Sequence, residues 1–169
     1  MSYEEHRALS KDTPVRCGIV TVSDTRTEAT DRSGALIRDL LEGAGFEVTS
    51  YRIVPDEPQE IGECIDIFCE QCEAILISGG TGISRRDTTI EVVGTRLQKT
   101  LPGFGEIFRM LSYEEIGAGA MLSRAVAGLY RETLLFSMPG STNAVRLAVE
   151  KLILAELHHL VWEVVRQAK

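Results

Sequence analysis

The sequence predicts the α/β class, with a mostly parallel sheet covered by helices on both faces. Three strand-like runs, Cys17–Val22, Glu47–Val54 and Ala74–Ser78, alternate with amphipathic stretches, as in a β-α-β-α-β series. Each run ends in a polar turn: Ser23–Arg26, Val54–Pro58 and Gly79–Asp87. In a parallel sheet such turns share the carboxyl rim, where ligands bind at a switch in strand order.

Residues 1–14 read as a polar arm, with Pro14 breaking any helix before the first strand. Residues 15–169 form a single domain. After the strand Cys17–Val22, Asp31-Arg32-Ser33-Gly34 leads into a helix. Its Leu36, Ile37, Leu40, Leu41 and Ala44 make one apolar stripe, and Gly45 stops it. Phe46, Val48 and Ile53 alternate imperfectly along the second strand. A helix over Gln59–Cys69 then presents Ile61, Ile65 and Phe68.

Beyond Ala74–Ser78, Thr88 or Thr89 caps a helix running from Ile90 to Leu97. Leu101-Pro102-Gly103-Phe104-Gly105 reads as a turn before a helix over Glu106–Leu111. Within Gly117–Ser123, Met121 and Leu122 suit a short helix. Ala125–Tyr130 and Thr133–Met138 read as strands across a tight turn at Arg131-Glu132. Two helices, Ala144–Ile153 and Glu156–Val165, finish the chain. Leu157, Leu160, Val161 and Val164 form a stripe suited to core or a subunit contact, and Trp162 packs.

The composition is that of a globular domain: 44% hydrophobic and 25% charged over 169 residues. No apolar run approaches the ~20 residues that cross a bilayer, and Met1–His6 lacks a signal-peptide core. A cytoplasmic protein is expected, with no membrane partner. A net charge of −7 argues against a nucleic-acid partner. Positive potential for an anion must then be local, from loop amides, helix N-termini and Arg85–Arg86. Of Cys17, Cys64, Cys69 and Cys72, only the last two have a suggestive spacing. They fall at a helix end before a strand, so all four are read as structural.

The chemistry centres on Gly79-Gly80-Thr81-Gly82, where only Thr81 keeps a Cβ. Backbone amides there can approach a phosphate closely, although a plain strand-to-helix turn would use the same glycines. Met138-Pro139-Gly140-Ser141-Thr142 offers a second cradle at a helix start, or simply a turn with Ser141 as N-cap. Neither a P-loop nor a dinucleotide fingerprint occurs, and His6, His158 and His159 lie outside the glycine turns. Carboxylates remain: Asp24, Asp56 and Asp87 sit in three different turns. Sharing one site requires a cation or arginine partners, and hard oxygens beside phosphate favour Mg²⁺. That inventory suits phosphoryl or nucleotidyl transfer.

Gly79-Gly80-Thr81-Gly82 with Arg86-Asp87, Leu101-Pro102-Gly103-Phe104-Gly105-Glu106, Ser123-Arg124-Ala125 and Met138-Pro139-Gly140-Ser141 together resemble the MoaB/MogA family of molybdenum cofactor biosynthesis proteins. The likeness spans roughly residues 15–155, and Gly105–Ser112 with Glu114–Gly117 is similar to the MoaB branch. It implies a three-layer α/β/α sandwich whose catalytic members use Mg²⁺ and ATP to adenylylate molybdopterin, releasing pyrophosphate. By the same resemblance, Asp56 and Asp87 are catalytic, binding Mg²⁺ and orienting the attacking phosphate oxygen. Ser23, Asp24, Gly79, Gly80, Thr81, Gly82, Ser112, Pro139, Gly140 and Ser141 form the substrate and nucleotide walls. Arg86 is expected to neutralise the transferring phosphate. A homotrimer or homohexamer is implied, with the pathway's metal-insertion protein as a further partner. The alternatives are a non-catalytic molybdopterin carrier and a nucleotide hydrolase on a related domain.

Overall fold

A computed structural model describes residues 2–167 of the chain. The element order is α1 (Tyr3–Ser10), β1 (Arg16–Val22), α2 (Arg32–Gly43), β2 (Glu47–Val54), α3 (Pro58–Phe68), β3 (Ala74–Ser78), α4 (Thr89–Arg96) and β4 (Lys99–Thr100). There follow α5 (Pro102–Ile116), a 3₁₀ segment (Gly117–Leu122), β5 (Val126–Tyr130), β6 (Thr133–Met138), α6 (Thr142–Ala148), a π turn (Val149–Ile153) and α7 (Leu154–Gln167). No helix among the described residues is long and apolar enough to cross a membrane.

Six strands form one sheet in the order β2-β1-β3-β6-β5-β4. The pairs β1–β2, β1–β3 and β3–β6 are parallel, while β5 joins β6 and β4 joins β5 antiparallel. The chain leaves β1 toward β2 and returns on its other side as β3. That reversal puts the switch in strand order between β1 and β3. Alternation across the pleat then divides two cores. Ile19, Leu76 and Phe136 lie in register and face α2 and α5–α7, while Val20, Ile75, Ile77 and Leu135 face α3 and α4. Each fully buried Leu, Ile or Phe contributes roughly 1.5–3 kcal/mol. The result is the expected α/β/α sandwich.

Local chemistry explains where elements start. Asp31 caps α2, its carboxylate accepting from the Gly34 N–H, and Gly45 leaves the helix at φ +88°. α5 begins at Pro102, four residues before the expected start, because proline suits the first helical turn, where its missing N–H has no bond to lose. The polar arm is helical over Tyr3–Ser10. Ser2 and Glu5 form a capping box, and the helix ends before Pro14. The two expected C-terminal helices are continuous through the π turn. Gly117–Leu122 is a 3₁₀ helix, and the short edge strand β4 adds to the expected elements. The Arg131-Glu132 turn forms, with Arg131 at φ +54°. Leu157 and Val161 are core, and Trp162 meets the His6 ring edge-on at 5.1 Å.

Cys17, Cys64 and Cys72 are buried, and all four cysteines are free. Burial pushes the Cys17 thiol up to about 12 and the Cys64 thiol up to about 11. Thiol reagents should therefore label these two only after unfolding in denaturant, as a DTNB time course would register. Leu76→Ala on the central strand should lower stability by ~2–5 kcal/mol in urea titration, since Leu76 is fully buried.

Candidate functional site at the carboxyl rim

β3 ends at Ser78, and the chain enters the left-handed region at Gly79 (φ +99°) and Gly80 (φ +65°). Close packing also excludes a side chain here. A Cβ on Gly79 would strike the Val22 carbonyl, and one on Gly80 would strike Thr89 Oγ1 and lie 2.9 Å from Asp56 Oδ2. At Gly82 it would lie 2.6 Å from Asp87 Oδ2. The loop is fixed at both ends: Gly79 N–H donates to the Met138 carbonyl at 3.0 Å, and Thr89 N–H to the Gly80 carbonyl at 3.2 Å. Asp56 and Asp87, 31 positions apart in sequence, thus both press against one glycine turn.

Each carboxylate has its own partners. Asp56 is buried, and its Oδ1 accepts from Thr88 N–H at 3.1 Å and Thr88 Oγ1 at 2.7 Å. Asp87 is half-buried and accepts from the Ser84 N–H at 2.9 Å. Asp24 accepts from the Asp56 N–H at 3.0 Å. That bond, and then the Arg86 guanidinium, hold the Asp24 carboxyl below its ordinary range.

Arg86 engages two carboxylates. Its Nη2 donates to Asp24 at 2.8 and 2.9 Å and its Nη1 to Glu57 at 2.8 Å, so it ties the β1 and β2 turns together. The three aspartates avoid mutual repulsion through these separate partners. Among the described residues, they do not converge into a three-ligand cluster.

Arg124, in the Ser123-Arg124-Ala125 motif, reaches the site although no local pattern in the sequence assigns it there. Its Nε donates to the Thr81 carbonyl at 3.2 Å, and its Nη2 to the carbonyls of Gly82 at 2.5 Å and Asp87 at 3.3 Å. Glu91 pairs with the same guanidinium. One side chain therefore clamps both ends of the loop. Asp31, also missed, has a fully buried side chain and accepts from Thr21 Oγ1 at 2.6 Å and Tyr51 OH at 2.7 Å. An acidic helix cap in the sequence was the one sign of it.

On the opposite side, the Gly140 carbonyl accepts from Ser33 Oγ at 2.6 Å and from Arg26 at 3.3 Å. Ser141 caps α6. Thr81, Gly82, Ser112, Pro139 and Ser141, with Phe108 as floor, line a cavity of about 300 Å³. Ser23 and Asp24 stand on the neighbouring turn, outside it. Ser23 Oγ is occupied by the N–H groups of Thr25 and Arg26.

The rim suits a hard cation. Ser78, Thr89 and Ser137 carry buried hydroxyls without hydrogen-bond partners, and Thr89 Oγ1 stands beside Gly80 with Asp56 Oδ2. Carboxylate and hydroxyl oxygens, with no sulfur or imidazole, are the donors Mg²⁺ takes alongside phosphate and water.

Residues 18–159 match the family model described as "Probable molybdopterin binding domain". The chain is 52% identical to Molybdenum cofactor biosynthesis protein B of Bacillus cereus, covering 99% of this chain and all of that relative. A crystal structure of a Molybdenum cofactor biosynthesis protein B superposes with a TM-score of 0.89 at 54% identity, over 91% of this chain and 98% of that one. The tungsten cofactor synthesizing protein MoaB from Pyrococcus furiosus gives 0.82 at 37% identity, over 90% and 98%. With a matching domain, end-to-end relatives and a shared sheet, the chain belongs to the MoaB/MogA family of molybdenum cofactor biosynthesis proteins.

Proposed function

We propose that this protein adenylylates molybdopterin at the expense of Mg-ATP. The observation that carries the reading is the packing of Asp56 and Asp87 against one left-handed glycine loop, beside a cavity with an apolar floor. In the proposed reaction, an oxygen of the pterin phosphate attacks the α-phosphorus of ATP. The bond from that phosphorus to the bridging oxygen of the β-phosphate breaks, and pyrophosphate carries away the electron pair. Mg²⁺, when bound, neutralises the phosphate charge that four neighbouring carboxylates would otherwise oppose.

Asp56 and Asp87 would hold that ion, and their fixed geometry aligns the reacting oxygen without reorganisation. Loop amides of Gly80–Gly82 bind phosphate oxygens, while Phe108 and Pro139 pack against the flat ring system. Arg124 is assigned to loop positioning. Arg86 is assigned to holding the Asp24 and Glu57 turns together, rather than to the transferring phosphate. A carrier function without catalysis is favoured by one observation, the commitment of Arg86 to two carboxylates.

Self-association fits the same end of the molecule. Ile107, Met110, Tyr113, Ile116, Met121 and Leu122 are exposed along α5 and the 3₁₀ segment, and Ile116 and Leu122 also line the cavity. An apolar surface of this kind suits a homotrimer or homohexamer whose interface closes over the site.

Protein incubated with molybdopterin, ATP and Mg²⁺ should release pyrophosphate, and Asp56→Asn and Asp87→Asn should each lower the rate roughly tenfold to a hundredfold. That corresponds to losing one charge-assisted contact of ~1.5–3 kcal/mol. Pterin binding with no pyrophosphate would establish the carrier reading, and AMP released without a pterin would point to a hydrolase. Light scattering should give a mass of several chains, shifted toward the monomer by Met110→Glu with Ile116→Glu.

A further inference from the structure

The N-terminal helix is held to α7 by polar groups. Ser10 is the buried residue of α1, while Tyr3 and Leu9 are 54% and 59% exposed. An isolated helix of eight residues is too short to persist in water, so its docking depends on specific contacts. Tyr3 OH donates to Glu156, and Arg7 Nη2 donates to the Ala155 carbonyl at 3.2 Å. His6 Nδ1 lies 2.7 Å from Glu163 Oε1.

On α7, Glu156, His159 and Glu163 follow at i, i+3 and i+7 and share one face. His159 Nδ1 lies 3.0 Å from Glu156 Oε2, and its Nε2 lies 3.6 Å from Glu163 Oε1. Donation of Nδ1–H to Glu156 leaves the lone pair of the neutral ring on Nε2, facing Glu163. One ligand atom each from His6, His159 and Glu163 lie within 4.8 Å of one another. The three side chains are 19%, 14% and 28% exposed, sheltered yet open to an ion.

We propose that His6, His159 and Glu163 bind one divalent transition-metal ion, with zinc the best fit, and that Glu156 orients His159. Two imidazoles with one carboxylate select zinc over Mg²⁺ or Ca²⁺, which prefer oxygen alone. Zinc–ligand bonds of ~2.0–2.1 Å put neighbouring tetrahedral ligand atoms about 3.3 Å apart. The observed separations of 2.7 and 3.6 Å from Glu163 to the two imidazoles bracket that spacing. The hydrogen bond from His159 to Glu156 is the carboxylate–histidine support that metal-bound imidazoles use. Such an ion ties residue 6 to residues 159 and 163 and fastens α1 to the domain. The fourth position is left to water or an incoming donor.

The test is titration of metal-stripped full-length protein with Co²⁺, followed by visible absorption, and with Zn²⁺ by calorimetry. One ion per chain is expected, with d–d bands and no thiolate charge-transfer band, and with no displacement by excess Mg²⁺. His6→Gln and His159→Gln should abolish uptake, whereas His158→Gln should retain it, because His158 Nδ1 instead contacts the Thr13 carbonyl. Glu156→Gln keeps all three ligands and should weaken binding about tenfold to a hundredfold. Zinc should also slow proteolysis within residues 1–14. The proposal fails if the protein takes up no metal at micromolar concentration, if uptake survives loss of His6 or His159, or if a thiolate band shows that cysteines are the ligands.

Discussion

The carboxyl rim depends on a steric constraint, the absence of side-chain volume at Gly79, Gly80 and Gly82. Any Cβ at these positions would occupy the space of the Val22 carbonyl, Thr89 Oγ1 or the Asp87 carboxylate. The loop can therefore lie flat across the ends of β1 and β6 while two aspartates press against it. Arg124 then fixes the turn by binding three of its carbonyls. A loop held in this way presents its amides in one arrangement, which is what recognition of a charged phosphate group requires.

Electrostatics set the second constraint. A chain of net charge −7 gathers Asp24, Asp56, Glu57 and Asp87 around one rim, an arrangement costly in isolation. Arg86 neutralises two of the four, and N–H or hydroxyl donors satisfy the rest. The rim thus holds four carboxylates close together, each with its own partner.

Order also reaches the rim from beneath. Asp31 joins the end of β1 to α2 and β2 through Thr21, the Gly34 N–H and Tyr51, and burial followed by the Asp31 hydrogen bond raises the tyrosine hydroxyl above its usual range. Ser33, on the same helix, holds the Gly140 turn. The two glycine-bearing turns are consequently spaced by the packing of α2 against the sheet. Away from the rim, α1 and α7 meet through histidines and carboxylates, so the first and last helices are coupled by polar chemistry.

Much of this was legible in the sequence because it is written in local pattern. Strand-helix alternation set the sandwich, and the glycine turn after β3 located the rim. The four ordered motifs identified the family, and the cysteine positions marked those residues as structural. Pro102 and Gly103 misled by composition, since the same pair serves either a turn or a helix start, and only packing of Phe104 and Phe108 into the core decides. The side-chain hydrogen-bond partners of Arg86, Arg124 and His6 lie from 29 to 157 positions away, beyond any periodicity. Sequence alone determined which residues could carry charge or turn sharply. Tertiary structure decided which of them meet, because ion pairs and hydrogen bonds act over a few ångströms of space, and only the folded sheet brings such distant positions that close.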